Sequence, residues 1–175
     1  SAKYLTCLTN VERISDHAVN LSELAQELSE KGISFSPQAI EELKICAGAV
    51  LEILDITQSA MNENDPHKAG MVEPLEEVID ALTDRMKERH IARLQAGKCT
   101  LELGFILNDC IHNFERTADH CSNLAVAVLE AADSQMQSHK YLRTFKQMNR
   151  EEYGARLAAQ VQKYCDALDA LDTGV

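Results

Sequence analysis

Two stretches of this chain carry the same acids in the same register. Asn10, Glu12, Arg13, Asp16, His17, Asn20 and Leu21 recur 103 residues later as Asn113, Glu115, Arg116, Asp119, His120, Asn123 and Leu124. Each copy sets two carboxylates four residues apart. On a helix a residue turns about 100°, so such a pair shares one face about 40° apart. Two like charges there cost the helix about 0.2–0.5 kcal/mol, which a bound cation would relieve. Carboxylate oxygens suit Mg, Ca, Mn or Fe, and Zn where a histidine stands near. One pair offers too few ligands, so a facing row is needed. Glu73, Glu76, Glu77, Asp80 and Asp84 form such a row, with Glu76 and Asp80 again four apart. If that helix lies antiparallel to the one bearing Glu115 and Asp119, four carboxylates converge on one surface patch. Glu12 and Asp16 make the equivalent pair on the first helix. The alternative is a solvated acidic face with Arg13 or Arg116 as ion-pair partner. His17 and His120 sit about 100° round from the aspartates and are expected to hydrogen-bond or pack against a neighbour. Asn20 and Asn123 are expected to bond across helices.

The elements that must position these groups read as helices throughout. A first helix is expected over about Lys3 to Lys31. Its apolar positions are Leu5, Leu8, Val11, Ile14, Ala18, Leu21, Leu24 and Leu28, and Gly32 stands as a left-handed cap. Ser36-Pro37 is a cap followed by a first-turn proline, opening a second helix that ends at Asn62-Glu63-Asn64. Asp65-Pro66 starts a short turn of helix, followed by a long helix from Pro74 to Ala96 that Gly97 stops. A fourth long helix covers about Lys98 to Ala132. Its apolar arc is Leu103, Leu107, Cys110, Ile111, Phe114, Cys121, Ala125 and Val128, with the acids at its edge. Ser134 to Ser138 reads as a polar break. Asn149-x-x-Glu152 reads as a capping box for a fifth helix over about Arg150 to Leu171, and Tyr141, Leu142 and Phe145 before it should pack back on the bundle. No segment alternates with period two, so no sheet is expected. The result is an all-α antiparallel array with short connections.

The composition bounds the function. The 175 residues suffice for one domain with a sizeable core. A formal net charge of −11 argues against nucleic acid or an anionic membrane surface as the main partner. Cys7, Cys46, Cys99, Cys110, Cys121 and Cys165 form no C-x-x-C pair and are expected to be reduced core thiols of a cytosolic domain. No apolar run approaches the ~18 residues of a membrane span. Ser1-Ala2, with a helical pattern starting almost at once at Tyr4, suggests a fragment of a longer protein. No Gly-rich phosphate loop, nucleophile elbow or other catalytic constellation occurs, so no turnover and no organic cofactor are expected.

The Glu-Arg-x-x-Asp-His-x-x-Asn-Leu motif, on the third helix of a duplicated three-helix unit, resembles the PhoU family. So does the upstream pattern Asp65-x-x-x-Ala69-x-x-Val72-x-x-x-Glu76-x-x-Ile79-Asp80. The resemblance implies a PhoU-like antiparallel bundle built of spectrin-repeat-like three-helix units. Residues 1–32 would be the last helix of a truncated first repeat, 36–133 a complete repeat, and 138–175 a C-terminal helical extension of a single domain. It implies iron or zinc clusters held by such acids: Glu76, Asp80, Glu115 and Asp119 as one site, and Glu12 and Asp16 as half of another whose partner helix is missing. The truncated start, the fifth helix, and the tail Tyr141-Leu142-Arg143 with Glu151-Glu152-Tyr153 resemble a subgroup. In it, a PhoU-like region follows the membrane part of type II bacterial sodium/phosphate cotransporters. The function implied is non-enzymatic regulation of phosphate uptake and homeostasis at the cytoplasmic side of the cell membrane. Its partners would be the transporter's own transmembrane part and, as an open option, a second copy of the chain.

Three alternatives stand beside this reading. A free-standing PhoU-type regulator of an ABC phosphate transport system would carry the same motif. A di-iron carboxylate protein would need paired Glu-x-x-His motifs pointing into a bundle core, and only Asp109-x-x-His112 and the reversed His112-x-x-Glu115 occur. A structural bundle would use the carboxylates only to stay in solution.

Overall fold

The computed structural model describes residues 2–135 and 139–172, with side chains described at 4–134 and 150–172. The described chain is helical and contains no strand. Helix α1 spans Ala2–Lys31, α2 Pro37–Glu63, α3 Pro66–Ala69, α4 Val72–Gln95 and α5 Leu101–Gln135. Helix α6, His139–Gln160, passes through a π turn at Val161–Cys165 into α7, Asp166–Ala170. This is the all-α bundle of long helices that the sequence predicted.

The chain's punctuation acts as its chemistry dictates. Ser36 caps α2 by accepting the Ala39 N–H at 3.2 Å, with Pro37 in the first turn. Asp65 caps α3 through the His67 and Lys68 N–H groups. Gly32 (φ +61) and Gly97 (φ +69) take the left-handed conformation that ends α1 and α4, and Asn64 (φ 52) does so after α2. Thr100 accepts the Leu103 N–H and sets the start of α5 three residues later than Lys98.

The core lies between α2, α4 and α5. Ile53 from α2, Leu75, Ile79, Leu82 and Met86 from α4, and Leu107 and Ile111 from α5 are fully buried there. Helix α4 runs antiparallel to α5, since Lys87 meets Glu115 while the earlier Glu73 meets the later Ser122, and to α2, whose start at Glu42 meets its end at Arg93. The last helical segment packs in the groove of α2 and α4. Its π turn brings Tyr164 and Cys165 inward, and Leu168 follows into the core. Tyr164 Oη donates to Glu52, which also accepts from Lys163 and Gln160.

The structure qualifies three expectations. The first helix is helical as expected, but the apolar positions of its period are largely left open. Its main packing is on α5, leaving Leu5, Leu8 and Val11 about half exposed or more, and Asn10 is its one buried residue among the described side chains. The expected capping box at Asn149 is absent, because α6 already runs through that position. Glu152 instead pairs with Arg156 at 2.5 Å and with His67 at 3.0 Å. Helix α5 continues through Ser134 to Gln135, past the expected break, whose remainder at 136–138 lies outside the described residues. The packing of Tyr141, Leu142 and Phe145 also lies outside the described side chains.

Candidate metal centre

Helices α4 and α5 meet along an acidic seam. Glu76 and Asp80 stand one turn apart on α4, and Asp119 faces them from α5 because the two helices are antiparallel. One carboxylate oxygen from each of the three lies within 4.8 Å of the other two. Glu76 and Asp119 are partly buried and Asp80 is exposed. The seam edges the core, since Leu75, Ile79 and Ala118 beside these acids are fully buried.

Crowding of like charges shows in the titration of this seam. Burial, a hydrogen bond with Asp80, and the charges of Asp80, Glu73 and Asp119 push the Glu76 carboxyl up to about 8. Asp80 is also pushed up, by burial and by Asp119, Glu115 and Asp84, against the lowering effect of its hydrogen bond with Glu76. Arg116 donates to Asp119 at 3.1 Å from the same helix, but the pair is half exposed and offsets little of the repulsion.

Of the four residues expected to converge, Glu115 is drawn aside. Lys87 Nζ and Thr83 Oγ1 each donate to its Oε1 at 2.8 Å. The structure therefore gathers Glu76, Asp80 and Asp119, with Glu115 committed to α4 by a lysine. Glu12 and Asp16 are exposed on α1, and no third ligand group stands with them among the described residues. The donor set of the gathered three is carboxylate oxygen only. That fits a hard cation, which would compensate the burial and the neighbouring charges that raise Glu76 and Asp80.

The rest of the repeated motif does something else. Asn113 Oδ1 accepts from His17 Nδ1 at 2.8 Å and from Asn20 Nδ2 at 3.1 Å. Asn10 Oδ1 accepts from His120 Nδ1 at 2.9 Å and from Asn123 Nδ2 at 3.1 Å. The two histidine rings stack between these clusters with centroids 5.5 Å apart. Each copy of the motif thus clasps the other across the antiparallel α1–α5 joint. Burial, then Arg116 and His17, lowers the His120 pKa, and its Nε2 is buried without a hydrogen-bond partner among the described residues. The sequence signalled bonding partners for these residues but not their reciprocity.

An antiparallel helical bundle with an acid-lined joint is the class that fold and seam define. Residues 43–128 match the PhoU domain family, a segment that includes α4 and the acids of α5. The chain is 28% identical over 120 residues to the phosphate-specific transport system accessory protein PhoU homolog 1 of Thermotoga maritima, covering 69% of this chain and 51% of that protein. It is also 28% identical over 120 residues to the phosphate-specific transport system accessory protein PhoU homolog of Synechocystis sp., covering 68% and 51%. The chain spans about half the length of these curated relatives. No solved structure gives a significant match. Among the described residues, no helix is long and apolar enough to cross a membrane.

Proposed function

We propose that this chain is a non-enzymatic, PhoU-like regulator of phosphate transport, and that Glu76, Asp80 and Asp119 hold a metal ion at its α4–α5 joint. The observation that carries the reading is the convergence of these three carboxylates inside the segment that matches the PhoU domain. Two of the ligands come from α4 and one from α5, so the bound ion would tie the helices together and neutralise their repulsion. Arg116 orients Asp119 toward that ion, while Lys87 holds Glu115 back. Iron or zinc is the choice the family resemblance supplies, and the oxygen donors also accommodate Mg, Mn or Ca. Glu12 and Asp16 would complete a second site only with ligands from outside the described residues, as in a preceding repeat of which α1 is the last helix.

The setting we favour is the cytoplasmic end of a sodium/phosphate cotransporter, where the partner is that protein's own transmembrane part. A free-standing accessory protein is the second reading, and the names of both relatives favour it. The residues encoded ahead of Ser1 separate the two. Several long apolar spans support the transporter, whereas one further three-helix repeat alone supports the accessory protein.

The metal reading is tested by equilibrium dialysis of the metal-stripped chain against Fe, Zn, Mn and Mg. The chain should take up at least one of these ions, and the Glu76→Ala/Asp119→Ala variant should lose that uptake. Equal uptake by both removes the site.

A further inference from the structure

A second polar concavity lies at the other end of α4, roughly three turns from the acidic seam. It is a cleft of about 180 Å³, below the roughly 300–1,000 Å³ typical of organic-ligand pockets. Its polar lining is Ser34, Ser36, His90, Arg93, Lys98 and Cys99. No carboxylate lines it, in a chain with 28 acidic residues against 17 basic ones. We propose that this cleft binds a small tetrahedral oxyanion of the phosphate class.

Two features favour an anion there. Lys98 is exposed at the cleft and forms no ion pair among the described residues. Arg93, by contrast, is neutralised from behind by Glu42, donating to both its oxygens at 2.6 and 3.0 Å, so the positive charge offered to the cleft is that of Lys98. The N-terminal ends of two long helices also border the cleft, α2 through Ser36 and Ala39 and α5 through Cys99 and Leu103. Each adds positive potential of about half a charge.

The cleft also depends on a missing side chain. A Cβ at Gly104 would stand 2.6 Å from His90 Nε2, so glycine is what admits the imidazole at this wall. Burial and Arg93 lower the His90 pKa, which favours a neutral ring, and its Nδ1 stands 3.8 Å from Cys99 Sγ at the cleft wall. Hydroxyl, imidazole and ammonium donors around a volume this small suit a compact anion with several acceptor oxygens. The inference is independent of the metal reading, because none of the three seam acids lines the cleft.

Cys99 supplies the readout. It and Cys7 are the partly exposed cysteines, while the other four are buried. With EDTA present to remove any metal-bridged phosphate, inorganic phosphate should slow iodoacetamide alkylation of Cys99 saturably and leave Cys7 unchanged, as read by peptide mass spectrometry. Lys98→Glu, at an exposed position without a partner, should weaken the half-protecting concentration by about tenfold or more, the scale of one lost charge-assisted hydrogen bond. Lys44→Glu, remote from the cleft, should not. Protection by sulfate supports the oxyanion class. The proposal fails if phosphate leaves Cys99 unprotected, if chloride at equal ionic strength protects as well, or if Lys98→Glu is protected like the parent.

Discussion

At the scale of single residues, Glu76 is the group whose surroundings most change its chemistry. An acid whose folded pKa stands above its unfolded value binds an extra proton in the folded state between the two. With Glu76 moved from 4.5 to about 8, the metal-free protein should lose stability as pH rises through that window. His90 and His120, both lowered, act in the opposite direction, removing stability as pH falls through about 6.5 and below. Between pH 6.5 and 8 the Glu76 effect should therefore be separable. Thermal melts in EDTA should show a falling Tm for the parent and a flatter profile for Glu76→Gln. Identical slopes would mean that the acids do not crowd one another. The three gathered acids were legible from their spacing, since four-residue periodicity on antiparallel helices leaves them few other arrangements. The diversion of Glu115 was not. It depends on which turn of α4 lies opposite it, and no local pattern records that Lys87 and Thr83 stand there.

At the scale of helices, the α1–α5 joint is polar at its centre, unlike the joints around the core. Asn113 accepts from both His17 and Asn20 and itself donates to the Asp109 carbonyl. Asn113→Ala would strand two donors in a partly buried joint, at about 1–3 kcal/mol by the usual cost of an unmade hydrogen bond. The urea midpoint should fall accordingly, and an unchanged midpoint would show that water replaces the clasp freely. Helix starts and stops were largely readable because Ser36-Pro37, Asp65-Pro66, Gly32 and Gly97 act locally, whatever packs on them. The last helix was misread at its start for the converse reason. Asn149-x-x-Glu152 has the letters of a cap, yet Glu152 is used for Arg156 one turn on and for His67, which only the folded arrangement brings into reach. The π turn at Val161–Cys165 was likewise invisible, as its extra residue is accommodated by burial of Tyr164 and by the bonds to Glu52.

At the scale of the whole molecule, stability is unevenly spread. Helices α2, α4 and α5 surround a shared core, whereas α1 is attached along one side. The 103-residue offset explains its open face. Tyr4, Leu8 and Val11 occupy the positions of Leu107, Ile111 and Phe114, which α5 turns toward α2 and α4. Among the described residues nothing plays the part of α2 and α4 for α1, so Tyr4 remains 66% exposed. Native-state hydrogen exchange should rank the α1 amides well below those of α4 and α5 in protection. Equal protection would mean that the open face is covered in solution. The symmetry of the clasp carries a further consequence for how such a chain can vary. Because one motif reads the other in reverse, the joint works like a palindrome. A change at Asn10, His17 or Asn20 spoils a partner drawn from the opposite copy, and only a matching change there restores it. Asn10→Asp should therefore weaken the joint, and the two copies of the motif stand or fall as one unit.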